Sequence, residues 1–206
     1  MILGIDTSHF NGKIDWKALA DAGLIFAIIK AGGSEGGVRY KESTFERDYN
    51  TAHQYGIQLG AYFVNGKQCC TTEQGKADAE YFTSLLRGKH FEYPVYLDLE
   101  VPSRLTKKGN TDASIAFCDT MEKAGYYVGI YASDISGFKD RLDISRLGAY
   151  DKWVARYGSA PQYVKSYGMW QWTSSGAVVG INGRVDMNAS FKDYPTIMLC
   201  KHLNGY

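Results

Sequence analysis

The sequence predicts an α/β protein whose strands run parallel for most of the chain and close into a barrel. Three observations carry that expectation. Eight short apolar segments recur in order, and helical segments with start or stop signals fill the first five intervals between them. The segments read as near-continuous apolar runs, the pattern of strands buried on both faces. Eight such strands in one chain of 206 residues, 45% hydrophobic, argue for a single sheet closed around a sizeable core.

The first strand is expected over residues 2–6, a short aliphatic run ending on Asp6. A helix over 16–22 leads to a strand over 25–30 that ends on Lys30. A helix over 44–55, stopped by Gly56, precedes the strand over 59–64, which carries Tyr62. Thr71, Thr72 and Glu73 are start signals for a helix over 72–87, and Gly88 follows where a left-handed residue closes a helix. The fourth strand lies at 95–99. A helix over 111–124, stopped by Gly125, leads to the strand over 127–131 and its terminal Tyr131; a short, weak helical stretch at 144–149 precedes the strand over 153–156. Strands at 169–172 and 184–187 complete the set. Gly158-Ser159-Ala160-Pro161 and Ser174-Ser175-Gly176 are too rich in turn residues for full helices, so loops or hairpins are expected to join the last three strands. Residues 1–194 read as one domain and 195–206 as a docked or loose tail, without internal repeats or low-complexity tracts.

Composition narrows the function. Lys plus Arg number 23 and Asp plus Glu 22, with no basic or acidic block, which argues against a polyanion read by charge and against a polybasic membrane anchor. Aromatic residues make up 14% of the chain, and several fall at expected strand ends, where sugar rings could stack on them. Cys69, Cys70, Cys118 and Cys200 lack Cys-x-x-Cys spacing, and adjacent Cys69 and Cys70 do not easily bridge each other, so reduced thiols are expected. The N-terminus lacks a basic stretch followed by a long apolar one, and no apolar run approaches the ~18 residues of a membrane span. The chain is therefore expected to be made without a signal or to have had one replaced by the initiating Met. The glycine-rich stretch 32–37 lacks the Gly-Lys-Ser/Thr ending of a phosphate cradle and is expected to form a flexible rim loop. Asn188-Ala189-Ser190 matches a glycosylation acceptor, but a glycan there would crowd the strand ends.

The chemistry gathers at the C-terminal ends of the strands. Tyr93-Pro94-Val95-Tyr96-Leu97-Asp98-Leu99-Glu100 delivers two carboxylates to one face of a strand, with Cα atoms ~6 to 7 Å apart. Glycoside hydrolysis needs one carboxyl to protonate the leaving oxygen and a second to meet the positive charge on the sugar, at separations of ~5 to 9.5 Å. Asp6 and Asp186 end the first and eighth strands. Lys30, Arg156 with Tyr157, Gln171 with Trp172, and Asn188 share the same mouth. Four acids at one mouth repel each other and cost stability, so function is the better explanation. Crowding favours keeping one acid protonated, which would leave Glu100 able to donate near neutral pH, while Lys30 and Arg156 would hold neighbouring acids ionised. The spacing leaves open which carboxyl keeps the proton.

These residues carry a family likeness. Gly4-Ile5-Asp6-Thr7-Ser8, Phe26-Ala27-Ile28-Ile29-Lys30-Ala31, Gly60-Ala61-Tyr62, Leu97-Asp98-Leu99-Glu100, Gly129-Ile130-Tyr131, Trp170-Gln171-Trp172-Thr173 and Val185-Asp186-Met187-Asn188, in this order, resemble glycoside hydrolase family 25, the Chalaropsis-type lysozymes of phage endolysins and bacterial muramidases. The likeness runs from about residue 3 to 191. It implies an irregular TIM-like barrel of five β/α units followed by three strands, and hydrolysis of the β-1,4 bond between N-acetylmuramic acid and N-acetylglucosamine in peptidoglycan. It further implies Glu100 as general acid, Asp98 as its partner carboxylate and Asp6 and Asp186 as supporting acids. Tyr62, Tyr131 and Trp170 would line the sugar cleft, with Lys30, Arg156 and Gln171 also facing substrate. No cofactor or metal, no nucleic acid and no membrane partner is implied; the partner is the glycan strand of the wall, reached by secretion or by release during phage lysis. Departures such as Phe63-Val64 after Ala61-Tyr62 leave all four acids in place and bear on which wall chemotype is preferred.

Two other classes compete. Carboxylates at a barrel mouth can hold Mg²⁺ or Mn²⁺ in a phosphoesterase or isomerase, but His9, His53, His90 and His202 do not fall at the expected strand ends beside these acids. A non-catalytic sugar-binding module is the third reading, and the intact pair Asp98 and Glu100 weighs against it. A chitinase-like hydrolase also uses an Asp-x-Glu strand end, and its substrate separates it.

Overall fold

The computed structural model describes residues 1–35, 37–66, 71–100 and 106–206. Nine strands form one sheet: β1 (Ile2–Thr7), β2 (Phe26–Glu35), β3 (Val38–Lys41), β4 (Gln58–Val64), β5 (Val95–Asp98), β6 (Val128–Ser133), β7 (Asp151–Ala155), β8 (Met169–Gly176) and β9 (Val185–Ser190). Their order is β1-β9-β8-β7-β6-β5-β4-β2-β3, and pairing of β1 with β2 closes eight of them into a barrel with β3 outside it. Pairing is parallel from β1–β2 through β7–β8 and antiparallel for β8–β9 and β9–β1. The turn-rich segment after β8 is the reason, since a short connection returns the chain antiparallel.

Among the described residues five α-helices accompany the sheet: α1 (Trp16–Asp21), α2 (Phe45–Gln54), α3 (Thr72–Leu86), α4 (Lys107–Lys123) and α5 (Tyr194–Lys201). Thr71 caps α3 by accepting from the Gln74 N–H at 3.2 Å, and the Gln74 side chain accepts from the Thr71 N–H at 3.1 Å. Gly56, Gly88 and Gly125 take the left-handed conformation expected of them, with φ between 74 and 86°.

Two expectations change. The rim loop at 32–37 is in part ordered strand: Gly32, Gly33, Ser34 and Glu35 extend β2 and pair with β3, which the sequence reading missed because glycine carries no apolar signal. A Cβ on Gly32 would stand 2.4 Å from the Tyr40 carbonyl oxygen, so close strand approach, not flexibility, requires it. Helix α4 starts four residues earlier than its apolar pattern, capped by Thr106, whose hydroxyl accepts from the Gly109 N–H at 3.1 Å. Cys69, Cys70 and Gly36 lie outside the described residues; Cys118, buried, and Cys200, exposed, are free thiols.

Two apolar layers hold the barrel. One packs the outer strand faces against the helices, through residues such as Ile5, Leu59, Phe82, Leu97 and Phe117. The other fills the barrel with Phe26, Tyr62, Tyr96, Tyr131, Trp153 and Met169. Rings of that size fit because glycines face them: a Cβ on Gly129 would stand 2.6 Å from the Tyr96 ring, and one on Gly4 2.5 Å from Phe26.

The expected break between 194 and 195 falls within α5, which seals the N-terminal end of the barrel. The buried Tyr194 phenol donates to Asp151 Oδ2 at 2.6 Å. Beyond α5, Asn204 is fully buried in a left-handed conformation; its amide donates to the Tyr93 carbonyl at 2.9 Å and accepts from the Tyr127 N–H at 2.7 Å. Replacing Asn204 by Ala strands both backbone groups. The expected loss is about 2–4 kcal/mol, seen as a fall of roughly 5–12 °C in thermal midpoint by calorimetry; an unchanged midpoint would show that residues 195–206 add nothing to the fold.

Candidate active site

Three strands deliver four acids to the C-terminal mouth. Antiparallel register sets Asp6 of β1 opposite Asp186 of β9, and their carboxyls share a hydrogen bond. Along β5, Leu97 and Leu99 turn outward into the helical layer, so Asp98 turns into the barrel and Glu100, two residues on, lies on the same side at the exposed end. Backbone pairing continues past the strand: the Leu99 N–H donates to the Tyr131 carbonyl at 2.9 Å and the Asn65 N–H to the Asp98 carbonyl at 2.8 Å.

Two amides hold Asp6. Its Oδ2 accepts from Gln171 Nε2 at 2.9 Å and from Asn188 Nδ2 at 2.8 Å. Neither amide is free to flip. The Gln171 oxygen takes the phenols of Tyr131 at 2.8 Å and Tyr157 at 2.9 Å, while the Asn188 oxygen takes the indole N–H of Trp153 at 2.8 Å. Burial, followed by the charge of Asp186, pushes Asp6 up to about 8 despite those two donors. At neutral pH it carries a proton, which the remaining oxygen shares with Asp186.

Asp98 is 4% exposed, and its Oδ1 has no hydrogen-bond partner among the described residues. Burial, then Glu100 and Asp6, raise it well above the usual carboxylate range. Asp186 is raised by burial and by Glu100, with the Asp6 hydrogen bond pulling the other way. Tyr62 is buried facing all four acids, and burial and their charges keep its phenol neutral. Tyr131 has one proton and two acceptors, since its Oη also lies 3.1 Å from Glu100 Oε1. The carbonyl of Glu100 is held by Arg141 Nη1 at 2.7 Å. A cleft of about 400 Å³ opens beside these groups, lined by Glu100, Tyr131, Ile135, Arg141, Arg156 and the half-exposed Tyr157. Of the four acids, only Glu100 reaches it.

Several expected site residues sit elsewhere or act differently. Lys30 points into the barrel mouth but lies 3.7 Å from Glu42, over the Tyr40 ring; its pull on Asp98 is outweighed by burial, so it does not hold that acid ionised. Arg156 lines the cleft, yet its guanidinium is bound to Asp134 at 3.0 Å and to Ser159 at 3.0 Å, because the chain has left β7 by then. Asp134 also accepts the N–H groups of Gln162, Tyr163 and Val164, so this pair organises the segment after β7, not the acids. Trp170 alternates with Gln171 on β8 and therefore faces away from the barrel interior, its indole donating to the Arg156 carbonyl at 2.8 Å. His9 follows β1 and contacts Glu42 Oε2 at 2.8 Å, not one of the four acids. Asn188 and Tyr157 were legible only as neighbours of strand-end residues, and Arg141 gave no signal at all. Full burial of Asn188 also leaves no room for a glycan on it.

Comparison with known proteins agrees with this architecture. The model of the family described as Glycosyl hydrolases family 25 matches residues 5–181. Lysozyme M1 of Streptomyces globisporus is 30% identical over 204 residues, covering 91% of this chain and 67% of its own. The crystal structure of the CTP1L endolysin superposes with a TM-score of 0.81 at 30% identity, over 98% of this chain and 70% of that one. The modular autolysin LytC from Streptococcus pneumoniae, solved with a synthetic peptidoglycan ligand, gives 0.80 at 25% identity, over 92% of this chain and 46% of its own.

The shared proton has a measurable consequence. An unfolded Asp ionises near 3.8 and the folded Asp6 near 8, so between these values the unfolded chain holds fewer protons and stability falls as pH rises. Asn at position 6 can accept from the same amides and still donate to Asp186. The Asp6→Asn protein should match the native midpoint near pH 4 and exceed it by roughly 10–20 °C at pH 8, about 5 kcal/mol. A gap that stays constant across that range would mean Asp6 is ionised in the folded protein.

Proposed function

The chain belongs to glycosyl hydrolases family 25, and on that premise we propose that it is a muramidase, cleaving the β-1,4 bond between N-acetylmuramic acid and N-acetylglucosamine with Glu100 as proton donor. One observation carries the assignment: Glu100 alone among the four acids both adjoins the buried carboxyls and reaches the cleft. The Gln171 oxygen already takes the Tyr157 phenol, so the Tyr131 hydroxyl can donate to Glu100 Oε1, which fixes that oxygen and leaves Oε2 to present the proton to the cleft. That contact orients the acid toward the glycosidic oxygen. Once the proton is transferred, positive charge grows at the anomeric carbon, and Asp98 behind it becomes the stabilising negative group. Desolvation makes Asp98 effective there, because its charge has no hydrogen-bond partner at Oδ1 to spend itself on.

Asp6 and Asp186 act through this pair. Their shared proton keeps the total negative charge at the mouth below four, which lowers the cost of Asp98 standing as a carboxylate beside the developing positive charge. Tyr157 and Tyr131 supply the cleft wall against which a sugar face packs. No helix among the described residues is long and apolar enough to cross a membrane, and the wall substrate lies outside the cell membrane, so the enzyme reaches it by secretion or by release during lysis.

Glu100→Gln keeps an acceptor for the Tyr131 hydroxyl and should fold normally while losing about 10³-fold or more in release of reducing ends from purified sacculi. The native enzyme should leave muramic acid at the new reducing end. Undiminished lysis by Glu100→Gln would remove it from the acid's role. Asp98→Asn should cripple turnover nearly as much yet raise the thermal midpoint, since it deletes a buried carboxylate; Asp6→Asn should cost less activity than either.

A further inference from the structure

At the end of the barrel opposite the acids, the last turn of α2 and the segment leading to β5 bring two imidazoles and a carboxylate together. We propose that His53, His90 and Glu92 form a zinc site. One ligand atom from each lies within 4.8 Å of the others. His53 Nε2 stands 3.8 Å from Glu92 Oε2, and His90 Nε2 stands 3.7 Å from Glu92 Oε1. Both separations are too long for hydrogen bonds. They are close to what an ion requires, since two atoms ~2.0–2.1 Å from a tetrahedral Zn²⁺ stand roughly 3.4 Å apart.

The surroundings fit a ligand set better than a salt-bridged cluster. His53 Nε2 is buried and has no hydrogen-bond partner among the described residues, a position that costs stability unless something else takes its lone pair. Glu92 is already oriented: Oε2 accepts from the Leu59 N–H at 2.8 Å and Oε1 from the Tyr206 phenol at 2.5 Å, which leaves each oxygen a second lone pair. The His53 and His90 rings meet edge to face at 4.8 Å, and Tyr206 packs against His90 at 5.2 Å. The nearby cation, Lys89, is drawn off to Glu46 at 3.2 Å and lies over the Tyr49 and Phe45 rings. Two borderline imidazole nitrogens with one carboxylate oxygen are a donor set that Zn²⁺ accepts, with water completing it on the exposed His90 side. Bound there, the ion ties α2, the start of β4 and the C-terminal residue to one another.

Tag-free protein stripped with a chelator and titrated with ZnCl₂ by calorimetry should bind one equivalent. His53→Ala and His90→Ala should each weaken that binding about a hundredfold or more, a loss that removal of an outer partner alone can reach, whereas His202→Ala should leave it unchanged. At free Zn²⁺ about a hundred times Kd the thermal midpoint should rise by roughly 5–10 °C, with wall lysis unaltered because the acids lie at the other end. Absence of stoichiometric binding, or binding that persists in both His variants, overturns the proposal. Should either variant misfold, Co²⁺ added to the native protein decides: an intense visible band of four-coordinate cobalt supports the site, and the weak spectrum of the hydrated ion overturns it.

Discussion

A proton shared between Asp6 and Asp186 is the constraint on which the mouth of this barrel depends. Antiparallel pairing of β9 with β1 sets the two carboxyls opposite each other, and burial makes two negative charges there untenable. Gln171 and Asn188, each locked by phenol or indole donors on its oxygen, direct N–H groups at the same oxygen of Asp6. The proton is thereby confined to the side facing Asp186. Among the described residues no basic side chain forms an ion pair with these four acids, and Lys30 and Arg156 are paired with Glu42 and Asp134.

The aromatic interior serves that arrangement. Trp153 fills the barrel and at the same time fixes Asn188, and Tyr131 packs against Trp153 while bridging Gln171 and Glu100. Packing and proton placement are thus one network. Gly4 and Gly129 permit it, since a side chain at either would displace a ring that the network uses.

Division of labour between the two ends of the barrel follows from the same topology. The C-terminal ends of the parallel strands carry the buried acids and accept a stability cost in exchange for chemistry. The N-terminal end is sealed by α5, Asn204 and the Asp151 cluster, where the Asn204 amide and the Asp151 carboxylate have hydrogen-bond partners. The cluster of His53, His90 and Glu92 sits at this second end, and it alone there keeps a buried nitrogen without a partner among the described residues.

Most of this architecture was legible in the chain. The strand pattern, the helix stops at Gly56, Gly88 and Gly125, and the four acids at strand ends follow from local period and punctuation, which act over a few residues and leave a mark in sequence. Strand β3 was not legible, because its partner residues Gly32 and Gly33 owe their conformation to the approach of Tyr40. The partners of the long side chains were not legible either: a strand-end position does not say what such a side chain meets, and Lys30 pairs with Glu42, Arg156 with Asp134 and the Trp170 indole with the Arg156 carbonyl. What the sequence determined by itself was which residues alternate onto the barrel's inner face and that four of them are acids. Only the tertiary structure decided how those acids share protons and which one meets the cleft, because burial and the partners of each oxygen arise from contacts between strands far apart in the chain.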